Sequence, residues 1–132
     1  MNNISSTNII TLNRGDTFSF KYRINLGDEL NPKNYILTEK DTLYLGVCEP
    51  KQSFEDALIK KIFTHDDMTE DYVTISFKSL DTEYVRPGQY YYTIKLCKNK
   101  GLDNEEIITT VSKKLFWIIG EVSLDNKINL NK

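Results

Sequence analysis

The sequence predicts an all-β fold, an antiparallel immunoglobulin-like β-sandwich of seven to eight strands. Three observations carry that prediction. Several short segments place an apolar residue at every second position, the period of a half-buried strand. Turn-forming residues interrupt these segments roughly every ten positions. No long segment repeats at the helical period. Together these are the pattern of a two-sheet antiparallel domain, with a closed barrel as the runner-up.

The chain is organised around Arg86-Pro87-Gly88-Gln89-Tyr90-Tyr91-Tyr92-Thr93-Ile94-Lys95-Leu96-Cys97. Tyr90, Tyr92, Ile94 and Leu96 form one face of a strand, while Gln89, Tyr91, Thr93 and Lys95 form the other. Pro87 fixes φ and Gly88 tolerates unusual backbone angles, so the pair turns the chain just ahead of this strand. Tyr92 and Ile94 are expected among the most buried side chains.

In chain order, Ser6 to Leu12 reads as an edge strand, ended by the turn Asn13-Arg14-Gly15-Asp16. Thr17 to Asn25 sets Phe18, Phe20, Tyr22 and Ile24 against Thr17, Ser19, Lys21 and Arg23, and is expected at the centre of a sheet. The long connection 27–41 is expected to tuck its one apolar group, Tyr35, Ile36 and Leu37, over one end of the core. Leu43, Leu45 and Val47 alternate in a strand that must stop by Pro50, which has no N–H to give a ladder. Residues 54–63 fit both a helical stripe and a strand. The favoured reading is a strand entered from a short turn, with Ile59, Lys61 and Phe63 on one face. Tyr72 to Lys78 buries Val73, Ile75 and Phe77. Ser79 to Tyr84 then makes a turn or single helical turn, with Ser79 as its cap. Lys98 to Asn104 is a hairpin loop, and Glu105 to Ser112 with Leu115 to Ile119 supply the last strand or pair of strands. Residues 1–122 thus form the sandwich. Residues 123–132 form a polar tail that needs a partner to become ordered.

Composition narrows the function. At 132 residues the chain fits one domain able to bury a full core. Seventeen Lys and Arg nearly balance nineteen Asp and Glu, so no strong field attracts nucleic acid or an anionic membrane. The amino terminus lacks the basic start and apolar core of a signal peptide, and no apolar run approaches bilayer length. Synthesis in a reducing cytoplasm is expected, with Cys48 and Cys97 as free thiols.

No catalytic constellation is legible. The single histidine, His65, precedes Asp66-Asp67 in a hydrophilic stretch and reads as a solvated turn rather than a catalytic base. The acidic groups at 66–71 and 103–106 lack the spacing that wraps a loop around calcium, and the cysteines lack zinc-ligand spacing. The expectation is therefore a non-enzyme without metal or cofactor. Arg14-Gly15-Asp16 reads as a turn. Tyr44, Tyr91 and Trp117 are placed on outward faces, where aromatic rings anchor protein interfaces or stack on sugars. Leu124, Ile128 and Leu130 are the apolar residues of the tail, and Ile128 and Leu130 are spaced to add as a short strand to an exposed sheet edge. All six are candidate interface residues.

Ile10-x-x-x-Arg14-Gly15-Asp16-Thr17-x-x-Phe20, Tyr35-x-Leu37-x-x-x-Asp41-Thr42-Leu43 and Pro87-Gly88-Gln89-Tyr90-x-Tyr92-x-Ile94-x-Leu96 together resemble the N-terminal domain of phage upper baseplate proteins. The resemblance spans about residues 9 to 120. It lacks the downstream coiled or receptor-binding region of that family. It implies a β-sandwich module on the tail tip of phages infecting Gram-positive bacteria, one that attaches a structural or receptor-binding component. The expectation is a structural virion protein, made in the bacterial host cytoplasm, that docks onto tail or baseplate proteins and onto copies of itself. A capsid decoration protein and a carbohydrate-binding module for bacterial surface glycans are the competing readings.

Overall fold

The computed structural model describes residues 2–28 and 30–120. Within them run eleven strands: β1 (Asn3–Ile4), β2 (Ile10–Asn13), β3 (Phe18–Tyr22), β4 (Ile24–Asn25), β5 (Asn34–Tyr35), β6 (Thr42–Cys48), β7 (Ile59–Thr64), β8 (Met68–Thr69), β9 (Tyr72–Phe77), β10 (Gly88–Lys98) and β11 (Glu106–Ile119). Two 3-10 turns, Phe54–Asp56 and His65–Asp67, and one helical turn, α1 (Ser79–Thr82), complete the set. Four of the strands span only two residues, which leaves seven of four residues or more.

The strands fall into separate sheets rather than one closed cylinder. A six-stranded sheet runs β1-β2-β11-β10-β6-β7, a three-stranded sheet runs β3-β9-β8, and β4 pairs with β5. Every ladder is antiparallel except one. β2 lies parallel to β11, with Ile10 opposite Phe116 and Leu12 opposite Ile118. This departs from the wholly antiparallel expectation, and it comes about because the first and last long strands of one sheet enter from the same end.

One core joins the two larger sheets. Tyr92, Ile94 and Leu96 of β10, Leu43, Leu45 and Val47 of β6, and Phe116 and Ile118 of β11 pack in one cluster with Val73, Ile75 and Phe77 of β9. The Phe77 and Phe116 rings meet edge-to-face with centroids 5.2 Å apart, the geometry favoured by the ring quadrupoles. Tyr92 and Ile94 are each only 1 % exposed, as their phase in β10 requires. β6 ends at Cys48, ahead of Pro50, and 54–63 is the short turn and strand expected of it.

Several expectations need correction. β2 is interior to its sheet, because the two-residue β1 caps it on the outside. β3 is an edge strand, paired on one side only with β9, and its Phe18, Phe20 and Tyr22 are half-buried rather than buried. Alternation is the same in an edge and a central strand, so the pattern could not separate them. In the 27–41 connection Leu37 is buried and Tyr35 half-buried, whereas Ile36 lies in solvent. Ser79 is the first residue of α1 rather than its cap. The N-cap is Lys78, whose backbone N–H donates to the Asp81 carboxylate at 2.7 Å. The last two predicted segments form one strand, β11, which continues through an irregularity opposite Tyr92–Lys95.

The 27–41 connection is fastened by Asp41. Its carboxylate accepts the Tyr35 hydroxyl at 2.5 Å, the Thr38 N–H at 2.8 Å and the Asn99 N–H at 3.2 Å, so a single buried acid ties this connection to the β10–β11 hairpin. Burial alone would push its pKa up, but these donors outweigh it and hold Asp41 below the usual carboxylate value. Tyr35 is correspondingly pushed up to about 12, by burial first and then by its bond to Asp41 and the charge of that carboxylate.

Candidate functional site

The outer face of the six-stranded sheet gathers the predicted aromatic residues. Because neighbours in a ladder share a face, the register fixes its rows. Cys48, Tyr91 and Leu115 lie in one row, Ile62, Tyr44, Lys95 and Thr109 in another, and Gln89, Trp117 and Thr11 in a third. Tyr44, Tyr91 and Trp117 therefore share one face of this sheet. Their surroundings differ. Trp117 is 36 % exposed, and Ile119, two residues on along β11, is also exposed. Tyr91 is half-buried, with its hydroxyl accepting a bond from the Gln89 amide at 3.1 Å. Tyr44 is half-buried too, and the Lys100 ammonium stands 5.2 Å from its ring centre. Leu124, Ile128 and Leu130 lie outside the described residues.

Ile62 and Ile107, 59 % and 63 % exposed, extend this apolar surface across the sheet, and sequence reasoning did not single them out. Ile107 follows the outward phase of Leu115, Trp117 and Ile119, because the irregularity opposite Tyr92–Lys95 adds two residues to β11 and so restores the same alternation in its first half, where Ile108 faces the core. Lys113 sits in this irregularity at φ 45°.

Two concavities open on this face. The larger, of ≈ 550 Å³, is lined by Gly46, Cys48, Tyr91, Thr93, Lys95 and Lys113 together with the turn at 49–52. Gly46 leaves its floor bare between Thr93 and Lys60. Lys51, Lys95 and Lys113 line it against one acid, Glu49, and among the described residues none of the three lysines is in an ion pair. The smaller, of ≈ 360 Å³, lies on the other side of Lys95, where Tyr44, Cys97, Ile107 and Lys100 meet Glu55 and Glu105.

The remaining singled-out groups are taken up by local structure. His65 lines neither groove and sits in a 3-10 turn, half-exposed, with Nδ1 3.7 Å from Asp66. Asp67 accepts the Thr64 N–H at 2.8 Å, Asp71 pairs with Arg23 at 3.1 Å, and Glu105 accepts the Gly101 N–H at 2.6 Å. Gly15 turns the Arg14–Asp16 segment at φ 83° and donates its N–H to Thr82. Cys48 and Cys97 are free, and burial first of all pushes both thiols up. Among the described residues no group of three His, Cys, Asp or Glu side chains is placed to hold a metal ion, and no buried side-chain polar atom lacks a hydrogen-bond partner. No helix among them is long and apolar enough to cross a membrane. Comparison with family models, curated proteins and solved structures finds no match to this chain.

Proposed function

We propose that this chain is a non-enzymatic structural component of a phage or phage-tail-like particle, docking onto tail or baseplate proteins as an adaptor. The observation that carries this reading is the outer face of the six-stranded sheet, where exposed Trp117 and Ile119 stand near the half-buried Tyr91 and Leu115, and exposed Ile62 and Ile107 lie farther along the same face, past Lys95. Exposed large apolar residues gathered on one face mark a protein contact, and aromatic anchors at its centre are the groups that such contacts use. The occupant is a neighbouring subunit of the particle, copies of this chain included. The tail 123–132 is the second contact.

The finer fold reading belongs with this proposal. Strand order β2-β11-β10-β6-β7 in one sheet and β3-β9-β8 in the other supports an immunoglobulin-like sandwich of variable type, with β10 as the central strand. The Tyr90 hydroxyl, near the start of β10, donates to the backbone carbonyl of Arg86, four residues upstream, in the manner of a tyrosine corner.

The test is incorporation into density-purified particles from cells that carry the gene, with immunogold labelling to separate tail from capsid. Trp117→Asp with Ile119→Asp should lower incorporation while leaving the melting temperature within a few degrees of the parent. Normal incorporation of that variant, or a parent chain absent from purified particles, would overturn the reading.

A carbohydrate-binding module is the second reading, favoured by the lysine-lined groove beside Tyr91. A glycan array decides it. Saccharide binding that is lost in Tyr91→Ala or Trp117→Ala would put recognition of a host-surface glycan ahead of docking.

A further inference from the structure

Among the described residues the two larger sheets end in four edges, β1 and β7 on one and β3 and β8 on the other. An open edge presents unpaired N–H and C=O groups to any strand that approaches, and proteins blunt such edges by shortness or by inward-pointing charge. Three of the four are blunted in this way. β1 and β8 have two residues each. β7 carries Lys61 on its inward face, held to Asp81 at 2.6 Å.

β3 is blunted by neither device. It is five residues long, contains no proline, and its inward set is Phe18, Phe20 and Tyr22; its only charge, Lys21, points outward. Those three rings are half-buried, whereas their β9 partners Phe77, Ile75 and Val73 are almost wholly enclosed. The core is therefore closed along β9 and left ajar along β3. Beyond Gly120 the sequence places Val122, Leu124, Ile128 and Leu130 at even positions, interrupted by Asn126, with Ser123, Asp125, Lys127 and Asn129 at the odd ones. That is the period-two pattern of a strand whose one face is apolar at four of its five positions, with Asn126 at the centre.

We propose that the β3 edge accepts residues 122–130 of a second copy of this chain as an added strand, with their apolar set beside Phe18, Phe20 and Tyr22. The proposal rests on the docking reading above and deepens it by naming donor and acceptor. Length permits it, since nine extended residues span about 30 Å and five-residue β3 only about 17 Å. Backbone bonds to the edge supply affinity, and the alternating side chains supply register. Because donor and acceptor are different surfaces, the contact is head-to-tail, and it closes into a ring or propagates according to its rotation.

The experiment uses full-length chains. A ¹⁵N-labelled chain carrying Leu124→Asp and Ile128→Asp can accept a strand but cannot donate one. When unlabelled parent chain is added, the labelled amides on the free side of β3, within Thr17–Arg23, should exchange at least about tenfold more slowly than in the variant alone. Unchanged exchange would overturn the proposal. So would the same protection in parent chain diluted to monomer, because the donor would then be the chain's own tail. Leu124→Ser with Ile128→Ser repeats the comparison without added charge. Particle incorporation is read separately: a chain that shows no β3 protection yet incorporates normally removes this contact while the docking reading stands.

Discussion

The Tyr92 hydroxyl donates to the backbone carbonyl of Asn8 at 2.5 Å, which joins the centre of β10 to the β1–β2 turn across 84 positions of sequence. Asn8 holds φ 65°, a left-handed conformation that asparagine tolerates better than most residues. The ring of Tyr92 packs edge-to-face on Phe116. Tyr92→Phe keeps that packing and removes only the donor, so it should cost about 1–3 kcal/mol in denaturant unfolding. A change below about 0.5 kcal/mol would mean that water satisfies the Asn8 carbonyl equally well.

Opposite faces of β10 should respond in opposite ways to the same charge. Ile94→Asp places an unpaired carboxylate in the core and should abolish the cooperative melt, while Tyr91→Asp, on the outer face, should lower the melting temperature by only a few degrees. Thermal melts followed by circular dichroism check the order of the two.

Asp41 should make the fold acid-sensitive. Its folded pKa lies below the unfolded value, so its stabilising contribution is complete above the unfolded value, near pH 4, and is lost as pH falls through the lower folded value. Denaturant midpoints measured between about pH 2 and 6 should fall on acidification. Asp41→Asn should show a flatter fall.

At the alkaline end the sign is reversed. Tyr35 is raised to about 12, and burial is the first cause there as for Tyr22, Tyr90 and Tyr92, which are raised as well. Stability that is complete below the unfolded tyrosine value, about pH 10, is lost as pH rises toward 12. Tyrosinate absorbance should appear in two stages, the buried rings ionising late and together with unfolding.

Thiol titration of denatured, unreduced protein should count two per chain, Cys48 and Cys97. In the folded protein Cys48, the more exposed, should react first, and both should react more slowly than a free cysteine at neutral pH because burial raises them.

Much of this architecture was legible because strand period is a local property. Tyr90–Leu96, Leu43–Val47 and Val73–Phe77 each show their buried face in a handful of residues, and Pro50 marks where β6 must end. What failed depends on neighbours in space. Whether Phe18–Tyr22 is central or peripheral is decided by what pairs on its far side, and the parallel placement of β2 beside β11 is decided by residues at opposite ends of the chain. Ile107 was missed because no face was assigned across Glu105–Ser112, although it keeps the outward phase of Trp117, and the lysine-lined groove was missed because Lys51, Lys95 and Lys113 converge only when a turn, a strand and the irregularity of β11 are brought together.

The parallel ladder between β2 and β11 also sets a timetable. Ile10 and Leu12 leave the ribosome early, yet their partners Phe116 and Ile118 follow more than a hundred residues later. At synthesis rates of roughly 5–20 residues per second, the first long strand waits several seconds with its apolar face unpaired. Meanwhile β6, β7, β9 and β10 have all emerged. β2 is thus made long before the strand that secures it, and the nascent chain is open to chaperone capture or mispairing over Ile9–Leu12 during that interval.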